Sequence, residues 1–500
     1  MSKKSRARRG AHAGRAASGE RRIEEAAKAV ADEVMSTLWA GIASGDPLRA
    51  ELETASCMAV PHVLDAPDPD EAEAFISTVL VDGAVRRDAP DGAALLRLLM
   101  SLGTPRIRRE AGEALAELTG EGVYPPEWVT EIGKATPGQA WRRYDVFGDD
   151  EAVAVTFSYG EAEHGIVVQI DLTGIPVVTA AGVSTNVARL IEAITAGNDE
   201  FDRSERIGLA EARRHLAGPL DRAGREPDPD LSTATVAHLP IVRSRVRRLP
   251  SGDGQPGPVY TAADRAAAVE EFMNSPLAAE AVAADKEATR FWAEVLTGYS
   301  GRIPGEPPGQ VGPRKLMHIL LGHVPNLFVL SPAQRAHLEP AVTAWLRWSA
   351  GRRELDESAT KALVESLPSA LSRFGQAYDD PEAVAIRGYA SGLSASDADV
   401  SKLSGQVERR MFALPPPPRR GQLDLADPAD RRQLVQAEFG ACTPPPGMTG
   451  EEFVDAACRV VEDLWRGEDD RLFEAASRLS AAGASRHDVI HQLAGPSAAR

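Results

Sequence analysis

One island of strand-like sequence stands in a long helical background, and it constrains the fold more than any other feature. It runs from Trp141 to Val183 and contains Glu151-Ala-Val-Ala-Val-Thr-Phe157 and Gly165-Ile-Val-Val-Gln-Ile-Asp171. Both runs are rich in β-branched residues, which suit a pleated surface. The polar link Gly160-Glu-Ala-Glu-His164 separates them, and Ile175-Pro-Val-Val178 follows the turn at Gly174. Elsewhere apolar residues recur at three and four, the period of a helix. The pattern predicts a mainly α protein, with multi-helix domains and a small inserted antiparallel β-sheet near residues 141–180.

Five hundred residues exceed one ordinary core, so several domains are expected. The first 22 residues carry Lys3, Lys4, Arg6, Arg8, Arg9, Arg15, Arg21 and Arg22 against Glu20 alone. This segment has no apolar pattern and reads as a disordered basic tail. Residues 23–250 read as a helical domain that carries the sheet. Asp46-Pro47 and Thr104-Pro105 mark helix starts there, and Leu95, Leu96, Leu98 and Leu99 a buried helix. Helices are also expected after Gly182, through Val187, Leu190, Ile191 and Ile194, and from Phe201 to Leu216, followed by a surface link over 218–235. A linker at 251–260, containing Ser251-Gly-Asp-Gly-Gln-Pro-Gly-Pro258, offers no apolar side chain to a core over those eight residues. A second helical domain then spans 261–414, with Leu338, Val342, Trp345 and Leu346 as one stripe. A Pro-rich spacer covers 415–421, and C-terminal helices fill 422–500.

The formal net charge of −17 makes the body acidic and excludes a general nucleic-acid binder. Contact with nucleic acid would fall to the basic tail and would be sequence-blind, since the tail holds no aromatic residue. Cys57, Cys442 and Cys458 are far apart, odd in number and without a Cys-x-x-Cys pair. That excludes a disulfide framework or zinc-thiolate site and fits a reducing cytoplasm. Cys57, in Ala55-Ser-Cys-Met-Ala59, reads as a buried inert thiol. No apolar run of about 18 residues spans a membrane.

Three clusters carry the residue types that chemistry needs. His487-Asp488-Val-Ile-His491 places two histidines at i and i+4, on one helix face, where both can ligate one metal. Asp488 stands where zinc hydrolases of this pattern carry a Glu base, and Ser485 with Asp488 also reads as a capping box after the helix stop at Gly483. The island holds Asp145, Asp149, Asp150, Glu151, His164 and Asp171, a set that can bind a cation or act as acid and base. Gly148-Asp149-Asp150 is equally a turn between strands, and no lysine accompanies the set between Trp141 and Val183. His318 and His323 are five apart, about 140° around an α-helix, so they do not share a metal. His323 is expected near a helix end. Gly305-Glu-Pro-Pro-Gly-Gln-Val-Gly312 lacks the Gly-Lys-Ser/Thr ending of a phosphate loop, and no nucleophile elbow or dinucleotide fingerprint occurs. No cofactor is expected.

Several segments together resemble a group of uncharacterised actinobacterial proteins. They are Trp141-x-x-Tyr-Asp-Val-Phe-Gly-Asp149, His164-Gly-Ile-Val-Val-Gln-Ile-Asp171, Arg265-Ala-Ala-Ala-Val-Glu-Glu-Phe-Met-Asn-Ser-Pro276 and Ala344-Trp-Leu-Arg-Trp348. The ending Gly483-Ala-Ser-Arg-His-Asp-Val-Ile-His491 is similar to a terminal helix pattern in bacterial proteins of unknown function. The resemblance implies a bacterial cytosolic protein and brings no activity, cofactor or catalytic residue. The leading expectation is a non-enzymatic cytoplasmic protein acting through protein contacts. The alternatives are a metal-dependent hydrolase on His487 and His491 or on the island carboxylates, and a nucleic-acid-associated protein using the tail.

Overall fold

The computed structural model describes residues 35–59, 69–197, 199–225, 230–252, 257–300, 305–390, 400–414, 425–467, 470–481 and 484–495. The basic tail, the 415–420 proline run and Gly483 lie outside these residues. The protein is mainly helical, with one five-stranded antiparallel sheet. No helix among the described residues is long and apolar enough to cross a membrane. The chain divides into two compact units. The first takes in Met1–Asp145, Asp150–Asp171 and Pro176–Gln255; the second takes in Val146–Asp149, Leu172–Ile175 and Pro256–Arg500.

The first unit opens with helices α1 (Pro47–Met58), α2 (Pro69–Arg87), α3 (Pro90–Leu102) and α4 (Pro105–Gly120). Both Pro-marked starts are formed. Asp46 accepts from Leu48 N at 3.0 Å, and Thr104 accepts from Ile107 N, so each cap satisfies a donor the helix itself cannot. Leu95, Leu96, Leu98 and Leu99 of α3 are fully buried in one cluster with Leu38, Leu80, Ile107 and Leu118.

Strands β1 (Thr136–Asp145), β2 (Asp150–Tyr159), β3 (Ala162–Asp171) and β4 (Val177–Ser184) form a meander. Helix α5 (Val187–Ala196) then carries the chain across to β5 (Asp202–Ile207), which adds to β1, giving the order β4-β3-β2-β1-β5. The β2–β3 loop has two residues. Gly160, with φ 59°, holds the first loop position, where a type II′ hairpin needs glycine. β2 is buried almost throughout because helices cover both sheet faces. One face, with Trp141, Ala152, Ala154 and Val167, takes α5 through Leu190, Ile191 and Ile194. The sheet is small-sided there: a Cβ added to Gly165 would stand 2.3 Å from Leu190 Cδ2. The other face meets α6 (Leu209–Arg225) and α7 (Thr233–Arg248).

Two local expectations are corrected here. The segment from Phe201 does not begin a helix; it forms β5, and the helix starts only at Leu209. Much of the link expected over 218–235 is helical, since α6 continues through Pro219 to Arg225 and α7 begins at Thr233.

The second unit is helical. Its helices include α8 (Ala262–Met273), α9 (Lys286–Tyr299), α10 (Pro313–His318), α11 (Leu338–Arg352), α12 (Glu357–Glu365), α13 (Leu367–Tyr378) and α14 (Pro381–Ala390). They continue with α15 (Val400–Ala413), α16 (Pro428–Phe439), α17 (Gly450–Arg466), α18 (Asp470–Ala481) and α19 (Arg486–Leu493). The α11 stripe of Leu338, Val342, Trp345 and Leu346 is buried, and Phe272 meets Trp345 edge-on at 4.8 Å. A separate cluster joins the C-terminal helices through Phe439, Phe453, Val461, Leu464 and Ile490.

Candidate functional site

One buried polar cluster of the first unit joins four elements. Glu51 of α1, His164 of β3 and Arg245 of α7 have no solvent exposure, and Tyr159 closes β2 beside them. Arg245 donates from Nη1 and Nη2 to the two Glu51 oxygens at 3.1 and 2.5 Å, the fork geometry guanidinium and carboxylate share. Tyr159 donates to the same carboxylate at 3.1 Å, and its hydroxyl accepts from Gly133 N. Arg245 Nε donates to His164 Nε2 at 2.9 Å. His164 therefore carries its proton on Nδ1, which is buried and has no acceptor among the described residues. Its ring lies near-parallel to Phe157 and Tyr159, 5.8 Å from each. Burial, and then the Arg245 charge, push the His164 imidazole down to about 3. Burial depresses Arg245, but Glu51 outweighs it and the guanidinium is raised overall. Near neutrality the His164 ring stays neutral and Arg245 stays charged, which suits a structural clamp and not proton transfer.

The island residues do not gather in one place: Asp150 and Asp171 are register partners at one end of the sheet, and His164 lies at the other. His164 pairs with Phe157 and Asp171 with Asp150, so His164 and Asp171 lie at opposite ends of β3, roughly 23 Å apart at strand rise. Asp145 accepts from Asp150 N at 3.1 Å and closes the turn between β1 and β2. Glu151 accepts from Arg142 Nε at 2.7 Å and faces His215 Nδ1 at 3.0 Å. Burial alone would raise the Glu151 carboxyl, but His215 and Arg142 outweigh it and hold it below the usual range. In the second unit, Asp149 accepts from the backbone N–H groups of Arg314 and Lys315 at 2.6 and 3.3 Å. It thereby satisfies the first turn of α10. Gly312 is required there, since a Cβ would come within 2.4 Å of that carboxylate.

His318 and His323 correct the sequence geometry. A π-helical segment, Ile319–His323, separates them, and i→i+5 bonding brings residues five apart back to one side. Both rings accordingly meet Tyr299, at 5.7 and 4.9 Å. A further helical turn, Val324–Leu327, follows, so His323 is buried inside the helical run and not at its end. The 305–312 segment packs by its backbone: Gly309 N donates to Ser300 Oγ, and Ser349 Oγ donates to Gly309 O, both at 2.6 Å. Beside it a cavity of about 80 Å³ is lined by Trp348 and Arg352 among others. That volume suits a few waters, not a metabolite.

His487 and His491 share a face of α19, but each ring has a different neighbour. His491 Nε2 lies 3.0 Å from Thr443 O, and its ring meets Phe453 at 4.6 Å. His487 stacks on Phe439 at 4.6 Å with planes 11° apart, and the two histidine rings are 6.5 Å from one another. Ser485 accepts from Asp488 N at 3.2 Å and donates to Asp488 Oδ2 at 2.6 Å. Asp488 thus belongs to the helix start, and the Ser485 hydroxyl holds its carboxyl below the usual range. Among the described residues no group of three or more His, Cys, Asp and Glu could hold a metal ion.

What sequence reasoning missed sits around His487. Its Nδ1 faces Glu438 Oε1 at 3.3 Å, and its Nε2 faces Cys442 Sγ at 3.5 Å. Arg486 grips Glu438 through Nη1 and Nη2 at 2.5 and 3.0 Å and donates from Nε to Phe412 O at 2.8 Å. Glu438 and Cys442 lie 49 and 45 residues from His487, so no local motif signals the grouping. Against protein-family models, curated proteins and solved structures, the chain has no match.

Proposed function

We propose that this chain is a non-enzymatic bacterial protein of the cytoplasm that acts through contacts with other proteins. One observation carries the reading: the polar residues that would serve hydrolysis are engaged in holding the fold. Asp149 holds a helix start, Glu151 pairs with Arg142 and His215, and Asp488 serves the first turn of α19. The small cavity beside Gly309 and the acidic net charge of −17 agree with it, since neither suits a metabolite or a phosphate polymer. The metal-hydrolase alternative gains no ligand set from His487, His491 or the island carboxylates. The nucleic-acid alternative rests on a tail outside the described residues.

The test is reconstitution. A partner recovered by crosslinking in the native cells is purified, mixed with the purified chain and titrated. A complex of fixed stoichiometry, with micromolar or tighter affinity, is expected. Substrate turnover by the purified chain, lost in Glu151→Gln or His487→Ala, would replace this reading with the hydrolase.

A further inference from the structure

We propose that Cys442 is a thiol–disulfide exchange site, with His487 as its base and a small aliphatic disulfide as its co-reactant. The inference goes beyond the contact reading and does not depend on it. The thiolate, not the thiol, attacks a disulfide, so a reactive cysteine needs access and a proton acceptor. Cys442 has both. It is half-buried, whereas Cys57 and Cys458 are buried. His487 Nε2 stands 3.5 Å from its sulfur, and the His487 side chain is 40% exposed. Glu438 Oε1 lies 3.3 Å from Nδ1, so a proton on Nδ1 points to the carboxylate and leaves the Nε2 lone pair toward sulfur. Arg486 fixes that carboxylate through two hydrogen bonds. Nucleophile, base and orienting group thus stand in sequence. The Phe439 ring stacked on His487 sets the plane of the imidazole.

The other two cysteines give an internal control. Burial, with the nearby Glu53 charge, pushes the Cys57 thiol up to about 12. Burial raises Cys458 as well.

The step balances without a further reagent. His487 Nε2 takes the thiol proton; the Cys442 sulfur attacks one sulfur of R–S–S–R and the S–S bond breaks. The leaving thiolate takes the proton from His487 and departs as R–SH. Cys442 is oxidised to the mixed disulfide, and the departing sulfur is reduced. One competing contact exists: Sγ also lies 3.5 Å from Glu438 O, to which the thiol can donate. The charged and titratable groups around the base are Glu438 from α16 and Arg486, Asp488 and His491 from α19 itself.

The test treats the native full-length protein with 2-hydroxyethyl disulfide at pH 7 and maps each cysteine by mass spectrometry. Cys442 should form the mixed disulfide at least about a hundredfold faster than Cys57 or Cys458. His487→Phe, which keeps a ring beside Phe439, should slow Cys442 at least about tenfold at pH 7. At pH 10 the variant and the parent should react alike, because hydroxide then removes the proton. If the Phe variant does not fold, His487→Gln replaces it, with Glu438→Gln expected to give a smaller slowing. Equal Cys442 rates with and without the imidazole at pH 7 would overturn the proposal. So would a Cys442 that reacts no faster than the two buried thiols.

Discussion

The protein builds a Glu–Arg–His cluster twice, and burial sets the two apart. In the first unit Glu51, Arg245 and His164 are sealed, with no exposure at any of the three. In the second, Glu438, Arg486 and His487 stand at the surface of the C-terminal helices, with side chains 19%, 22% and 40% exposed. Each guanidinium grips its carboxylate with a two-pronged contact. The imidazoles differ. His164 takes its hydrogen bond from arginine, an arrangement only the neutral ring accepts, while His487 faces a carboxylate on one side and a thiol on the other. The lesson is that these residue types do not define a site. The same three side chains clamp a core when dry and leave a ring nitrogen available for chemistry when water reaches them.

The largest predicted effect breaks the sealed cluster. Glu51→Ala leaves the Arg245 charge buried without its partner and should cost about 3–5 kcal/mol, read as a lower denaturation midpoint of the first unit. Glu438→Ala should cost less than about 1 kcal/mol, because water can solvate Arg486. Equal losses would erase the distinction between the clusters.

Next comes acid. His164 is held at about 3 in the fold, below its ordinary value near 6.5, so the unfolded chain binds the proton first. Its contribution is complete above pH about 6.5 and falls as pH drops toward about 3. The whole window is worth on the order of 5 kcal/mol. Denaturation of the parent and of His164→Phe between pH 7 and 4.5 isolates the effect. The parent should lose stability more steeply; parallel curves would show that His164 does not stay neutral.

Smaller still is the α19 cap. Ser485→Ala removes the acceptor for Asp488 N and should lower stability by about 0.5–2 kcal/mol. Smallest of all is metal removal: a chelator should leave the melting temperature unchanged, with less than one zinc per several chains. One zinc per chain, lost in His487→Ala, would turn the exposed cluster into a metal site.

The sequence made the helical class, the strand island and the proline-marked caps at Asp46 and Thr104 legible, because each is a local pattern. β5 escaped it for a physical reason. Asp202-Arg-Ser-Glu-Arg-Ile207 lies at a sheet edge with its middle residues exposed, so it shows no apolar alternation and is held largely by backbone pairing to β1. Pro219 falls in the link expected over 218–235, yet it sits inside a helix. Both clusters were invisible because Glu51 pairs with a residue 194 positions away and Cys442 with one 45 away. His487 and His491 were visible as a spacing, but spacing alone says nothing about the Glu438 and Cys442 side chains that face His487.

Carbethoxylation of the native protein by diethyl pyrocarbonate, mapped residue by residue at neutral pH, tests the contrast most directly. The reagent needs an accessible, unprotonated ring nitrogen. His487 should be modified readily, and His164 only when the first unit unfolds, at a rate matching its unfolding. Modification of His164 in the folded protein at a rate comparable to His487 would contradict the account, because the first cluster would then be open to solvent.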